Sequence, residues 1–165
     1  MQAELRLTMP PRTSAFDPYR TYKFRVRIGN TTVAGVTKVS ALGRSVAATE
    51  LKQGGDLLAP RQNPGQVSYD DVTLEQGWSA DKTLEEWANA ATRLHADPAV
   101  TNFKRTVYVD VYDLNVSAGG TALTSYKLHR CWVTKYVAMP ELSADSGGVG
   151  IRTVTLKHEG WERVT

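Results

Sequence analysis

A chain of 165 residues has the length of one domain, and folding such a domain withdraws roughly 70% of its extended surface from water, so a sizeable core is available. The 20 Lys and Arg against 17 Asp and Glu give a formal charge of +3, too mild by itself to imply a nucleic-acid binder. A single cysteine, Cys131, excludes an intramolecular disulfide framework and a four-thiolate zinc site.

Residues 1–18 read as an N-terminal arm, because Pro10, Pro11 and Pro18 interrupt any ladder or helix. The start lacks the apolar run of a secretory signal, and nowhere do about 18 apolar residues follow one another, so the expectation is a soluble protein made in the cytosol with no membrane insertion. The first strand is YKFRVRI, residues 22–28: Tyr22, Phe24, Val26 and Ile28 can enter a core while Lys23, Arg25 and Arg27 point the other way. Gly29-Asn30 supplies a turn, after which Val33 to Val36 is expected to return antiparallel.

SVAATEL, residues 45–51, reads as a further strand. KQGGDLLAPRQNPGQ then gathers Gly54, Gly55, Pro60, Pro64 and Gly65 into a loop before VSYDDVTLE resumes strand character. A loop of that length in a small domain is usually functional. The one clear helix, about residues 80–95, lies in SADKTLEEWANAATRLH: Ser79 or Asp81 can cap it, Glu85 and Glu86 suit its positive dipole end, and Leu84, Trp87, Ala91 and Leu94 form a stripe that packs on a sheet. KRTVYVDVYD follows as a strand, TSYKLHRCWVTKYV as its hairpin partner, and GIRTVTLKHE as the last strand. Strands, one helix, then strands predict a mainly β protein with antiparallel sheets and a helix on one side.

Chemistry has little to stand on. His95, His129 and His158 are far apart in sequence and form no metal-ligand spacing, while Asp70-Asp71 and Glu85-Glu86 are adjacent pairs whose side chains diverge. His129 is expected on the same strand face as Cys131, yet no activating base arrangement accompanies them, and Cys131 reads as a structural thiol. The glycine-rich turns lack the strand-to-helix setting of a phosphate loop. No catalytic residue, cofactor or metal ligand is assigned. The basic row of the first strand is either a solvated face or an attractor of polyanions.

YKFRVRIGNTTVAGVTKVSALG, LKQGGD leading through NPG into YDDVTLEQG, DKTLEEW, and CWVTKYVAMPELSADSGGVGIRTVTLKHEGWERV together resemble, in order and spacing over roughly residues 17–164, the landmarks of tail-tube proteins of contractile phage tails and contractile injection systems. The resemblance implies a single domain built as an antiparallel β-sandwich or small barrel with one flanking helix. It also implies hexameric rings stacked into a hollow inner tube that conducts DNA or protein cargo when a sheath contracts. The partners so implied are further copies of the chain, a sheath protein, baseplate tube-initiator proteins, and a tape-measure protein or cargo in the lumen. Synthesis would be in the bacterial cytoplasm, and the product part of a phage tail or phage-like particle. By the same analogy Leu51, Gly54, Gly55, Asp56, Leu57, Leu58 and Arg61 mark a self-assembly loop reaching an adjacent subunit or ring, and Lys23, Arg25 and Arg27 face the lumen, the sheath or a neighbouring subunit. The competing expectations are a monomeric β domain that binds a ligand or polyanion, and a secreted ring-forming effector carrier.

Overall fold

The computed structural model describes residues 23–51, 61–93, 103–113, 120–140 and 148–164; the proline-rich arm lies outside them. In chain order the elements are β1 (Phe24–Ile28), β2 (Thr31–Val33), β3 (Val36–Val39), β4 (Arg44–Leu51), β5 (Arg61–Tyr69), β6 (Val72–Gly77), α1 (Thr83–Arg93), β7 (Arg105–Val111), β8 (Thr124–Val137), β9 (Ile151–Lys157) and β10 (Trp161–Arg163). All the strand pairs among them are antiparallel, as the element order predicts.

The main sheet runs β2-β1-β7-β8-β9-β6-β3, with β10 added against β8. Its two end strands, β2 and β3, are consecutive in the chain and separated only by Ala34 and Gly35. A sheet whose margins are tied by two residues has to curl until those margins approach, which turns it into a small, nearly closed barrel. Gly35 makes the link with φ of +70°, a conformation that favours glycine. From β6, the neighbour of β3, the Gly77 amide donates to the Gly35 carbonyl at 2.9 Å and the buried Gln76 side chain donates to the Ala34 carbonyl at 2.7 Å, which holds the link in place.

Strand β8 spans 14 residues and serves both halves of the barrel, pairing with β7 through its first part and with β9 through its second. The change is made at a bulge. Val107 opposes Leu128 but Arg105 opposes Cys131, so β8 carries one extra residue there, and Arg130 adopts φ of +50° to absorb it. The strand's period of two is broken at that point. Leu128 and Cys131 both enter the core, whereas His129 is half-buried against Glu162 on the outside. The expectation of a shared face for His129 and Cys131 therefore fails, because it assumed an unbroken strand.

The core joins Val26 and Ile28 of β1, Val107 and Val109 of β7, Leu128, Cys131 and Val133 of β8, Val154 and Leu156 of β9, and Val72 and Leu74 of β6. Helix α1 covers one side with Leu84, Trp87 and Ala88, and the Trp87 indole N–H donates to the Phe103 carbonyl at 2.7 Å, so the ring is buried without an orphaned donor. The Asp81 carboxylate accepts from the Thr83 amide and hydroxyl at 3.0 and 2.6 Å, which fixes the helix start two residues later than the acid. The described helix is thus shorter than the 80–95 expected, since the residues before Thr83 are spent on the lead-in; Leu94 and His95 lie outside the described residues.

Three further boundaries differ from the sequence reading. The Gly29-Asn30 turn does form a hairpin, with Ile28 opposite Thr31, but its return strand ends at Val33, and Val36 begins a strand that pairs with β6 instead. VSYDDVTLE is two strands, interrupted at Asp70-Asp71. Residues 61–66, expected as loop on account of Pro64 and Gly65, are strand: β5 is paired on one side only, so Pro64 needs no ladder donor, and Gly65 sits where a Cβ would meet Thr49 Oγ1 at 2.7 Å. Replacing Trp87 by Ala is expected to lower the unfolding free energy by about 3–5 kcal/mol, measured by urea titration at a dilution where the chain is unassembled.

Candidate functional site

The outward face of β1 and β7 shows what lies against the basic row. Arg25 opposes Asp110 and Arg27 opposes Tyr108, and the Arg27 guanidinium reaches diagonally to grip Asp110 with both oxygens, Nε to Oδ2 at 2.5 Å and Nη2 to Oδ1 at 3.1 Å. The Ser125 hydroxyl donates to the same carboxylate from β8. Arg27 also lies over the Tyr108 ring at 4.8 Å and Arg25 over Tyr112 at 5.4 Å. Asp110 is left with a side chain 3% exposed although it belongs to the non-core face. Burial pushes its carboxyl up, but the hydrogen bonds from Arg27 and Ser125 and the guanidinium charges outweigh that, so it titrates below the usual aspartate range. The row is thereby braced within its own chain, a partner that alternation along β1 could not reveal because β7 lies far away in sequence.

Two smaller clusters continue this face at the β8 bulge. Glu159 takes both Lys104 and, at 2.9 Å, Arg130, while Glu162 takes His129 at 3.1 Å and Lys127 at 3.4 Å. The Glu159 carboxyl lies below its ordinary range, first because of the Lys104 hydrogen bond. These are exposed pairs of small energetic worth. Burial pushes the Cys131 thiol up to about 12, so at neutral pH it carries no thiolate. Among the described residues no group of three or more His, Cys, Asp or Glu side chains is placed to hold a metal ion, and no helix is long and apolar enough to cross a membrane. A cavity of ~410 Å³ between the end of α1 and β8 is lined by Ala91, Thr92, Phe103, Lys104, Trp132 and Val133 and gathers no catalytic constellation.

The other feature is a β-ribbon. Val39 opposes Leu74, Arg44 opposes Tyr69 and Val46 opposes Val67, so the pairing of β3 with β6 passes into that of β4 with β5 without a change of register. The joint is made by backbone bonds from Ser40 to Thr73 at 2.9 Å and from Asp70 to Gly43 at 3.2 Å. At that joint a Cβ on residue 43 would fall 1.7 Å from the Asp70 carboxylate, so with Gly43 the Asp70 side chain can lie close against the backbone. The inner half of the ribbon is embedded in the barrel, while the outer half pairs only with itself as a two-stranded sheet. Its root rests on the β9-β10 corner: His158 bonds the Asp70 carbonyl at 3.1 Å, Tyr69 packs tilted on His158, and Arg44 lies over Trp161. Leu51 and Arg61 form the last described pair, and Gly54, Gly55, Asp56, Leu57 and Leu58 lie outside the described residues.

The outer half is two-faced. Arg44, Val46 and Ala48 share a face with their partners Tyr69, Val67 and Pro64, the last kept there by a register shift between Val46 and Ala48 that gives β5 one extra residue, whereas Ser45, Thr49, Ser68 and Asn63 occupy the other. Val46 and Val67 sit directly opposite one another yet remain 50% and 44% exposed. An isolated two-stranded hairpin is marginal in water, and this one exposes the apolar pair that should stabilise it.

Residues 20–162 match the family of T4-like virus tail tube protein gp19. In structure the chain is similar to a component of an extracellular contractile injection system, the PVC sheath-tube complex in its extended state, at 18% identity over 90% of this chain and 93% of that one, with a TM-score of 0.72. It is similar to the anti-feeding prophage cap, the AFP tube terminating cap, at 23% identity over 90% and 92%, TM-score 0.73. More distantly it is similar to Hcp1 from Flavobacterium johnsoniae, at 12% identity over 87% and 95%, TM-score 0.51. At these identities the structural likeness is one of fold. No curated protein matches the sequence.

The Arg27 and Asp110 pair gives a pH-dependent stability. Because the folded carboxyl titrates below its unfolded value, the contribution is fully present above the unfolded aspartate range and is lost as pH falls through the lower, folded value. Asp110→Asn is therefore expected to cost about 1.5–3 kcal/mol at neutral pH and progressively less in acid, where the wild type loses the same interaction; urea titrations from neutral pH down to about pH 3 measure the convergence.

Proposed function

The chain belongs to the T4-like virus tail tube protein gp19 family, and from that premise we propose that it is a single-domain inner-tube subunit of a phage tail or other contractile injection particle. Its copies close into hexameric rings, and the rings stack into a hollow conduit for DNA or protein cargo. One heterologous contact closes a ring when its rotation divides a full turn, and a second, differently directed contact repeats without limit along the axis. A sheath around the tube, baseplate proteins at its start and a terminator at its end follow from the same reading, which the similarity to the sheath-tube complex and to the tube terminating cap supports.

The observation that carries the proposal is the outer half of the ribbon. A paired hairpin with an uncovered Val46 and Val67 is a costly thing to leave in water and a reasonable one to hand to a sister copy. The assembly segment accordingly starts earlier than Leu51 and ends later than Arg61, taking in both arms of the hairpin as well as the segment that includes Gly54, Gly55, Asp56, Leu57 and Leu58. Of Lys23, Arg25 and Arg27, the last is occupied by Asp110, and Arg25 is the residue we assign to contact with lumen contents, sheath or neighbouring subunit.

Size-exclusion chromatography and negative-stain microscopy of the purified chain test the proposal: rings or tubes support it, and a strictly monomeric species at every salt and protein concentration overturns it. Arg25→Gln removes the charge without setting a second carboxylate opposite Asp110, so it is expected to leave the monomer fold intact and to reduce cargo load, sheath attachment or ring yield in a particle assay.

A further inference from the structure

The link that ties β2 to β3 is held by side chains from elsewhere in the chain. Ala34 lies between the two strands and has no ladder partner among the described residues, yet both of its backbone groups are taken. Its N–H donates to Asp81 Oδ2 at 3.1 Å, from 47 positions away, and its carbonyl accepts from the buried Gln76 Nε2 at 2.7 Å. Asp81 is also the residue that starts α1: its other oxygen, Oδ1, accepts from the Thr83 amide and hydroxyl. One carboxylate thus serves two structures, with one oxygen turned to the link and the other to the helix.

The backbone that carries this carboxylate is fixed as well. Arg152, buried in β9 as the ladder partner of Gln76, donates through Nη2 to the Ser79 carbonyl at 3.1 Å and through Nη1 to the Asp81 carbonyl at 3.4 Å. The Asp81 carboxyl lies below its ordinary range, first because of the Thr83 hydroxyl and then the Thr83 amide, with the Ala34 amide and the Arg152 charge acting in the same direction against burial. We infer that Asp81 is a clasp through which the seating of α1 and the closing of the β2-β3 link are a single event, so that neither loosens alone.

A simple helix cap needs only the oxygen that meets Thr83. The second oxygen, on Ala34, gives the cap a partner in the sheet, and coupling of this kind is reciprocal: whatever factor the closed link adds to the seating of the helix, the seated helix adds to the closing of the link. The effect extends to the ribbon. Strand β3 begins at the link and is one arm of the ribbon's embedded half, so the base of the ribbon is anchored to the helix that flanks the barrel. The inference concerns one chain by itself and stands apart from the tube reading.

Hydrogen exchange of the full chain, at a dilution where it is unassembled, reads both ends of the clasp. Glu86 N–H donates to the Lys82 carbonyl at 2.8 Å in the first turn of the helix, and Gly77 N–H donates to the Gly35 carbonyl at 2.9 Å beside the link. Thr83→Val keeps the side-chain shape and removes the hydroxyl bond on the helix side; it is expected to speed exchange about threefold at Gly77 as well as at Glu86. Gln76→Met removes the bond on the link side and is expected to speed Glu86 along with Gly77. Asp81→Ala is expected to speed both by about tenfold, and should that chain fail to fold, the two milder variants carry the test. Thr92→Val removes a hydroxyl bond near the far end of the same helix and is expected to leave Gly77 unchanged. Gly77 unchanged in Thr83→Val, Glu86 unchanged in Gln76→Met, or Gly77 exchanging as fast in Thr92→Val as in Thr83→Val would each overturn the inference and leave Asp81 a helix cap alone.

Discussion

The two-residue link between β2 and β3 is the constraint from which the remaining architecture follows. Ala34 and Gly35 tie together the opposite margins of a seven-strand path, so the sheet has to curl. Curling requires one strand to change direction while keeping its partners. Strand β8 does so, at the cost of a left-handed conformation at Arg130 and one extra residue in its ladder. The same bulge decides which side chains of β8 enter the core beyond it and places Cys131 where its thiol is buried and protonated, while His129, just before it, faces Glu162 on the outside. Helix α1 then covers the core from one side through Leu84, Trp87 and Ala88.

A nearly closed barrel has few strand margins left to satisfy, and this one sends a pair of its strands outward. The inner half of the ribbon receives its stability from neighbours on both sides: β6 is paired with β3 on one margin and β9 on the other. The outer half has only its own cross-strand bonds. Its rigidity comes from the root, where Gly43, Ser40, Tyr69 and His158 hold it to the barrel, so it projects as an ordered arm with a defined apolar face. A defined face matters for assembly, because a pre-organised contact spends less of its interaction energy on ordering itself than a floppy loop does.

Electrostatics has a bracing part in this molecule. Asp110 is withdrawn from water on a face that is otherwise polar, and it stays charged because Arg27 and Ser125 bond it from either side. The tyrosines beneath Arg25 and Arg27 complete a layer of flat-lying side chains over β1 and β7. That layer fixes the register of two strands distant in sequence. It also means that the formal charges on β1 overstate how much of the row is available to a partner.

How much of this was legible in the residues differs from element to element, for a physical reason. Alternation in YKFRVRI and in TVYVDV, the helical stripe through Leu84 and Trp87, and the Gly29-Asn30 turn are local signals, and they placed the strands, the helix and the family landmarks that the match over residues 20–162 bears out. Pro64 and Gly65 misled because their local preference is for turns, while the ribbon tolerates them on strands paired on one side only. The His129 and Cys131 relation, the grip of Arg27 on Asp110 across 83 positions and the unbroken register from Val39 to Val46 each depend on which strands lie side by side. The residues by themselves determined the elements and their order, since those rest on neighbours along the chain. Only the tertiary structure decided the partners, the bulge and the uncovered outer ribbon, because these arise where segments remote in sequence meet and the sheet has to close on itself.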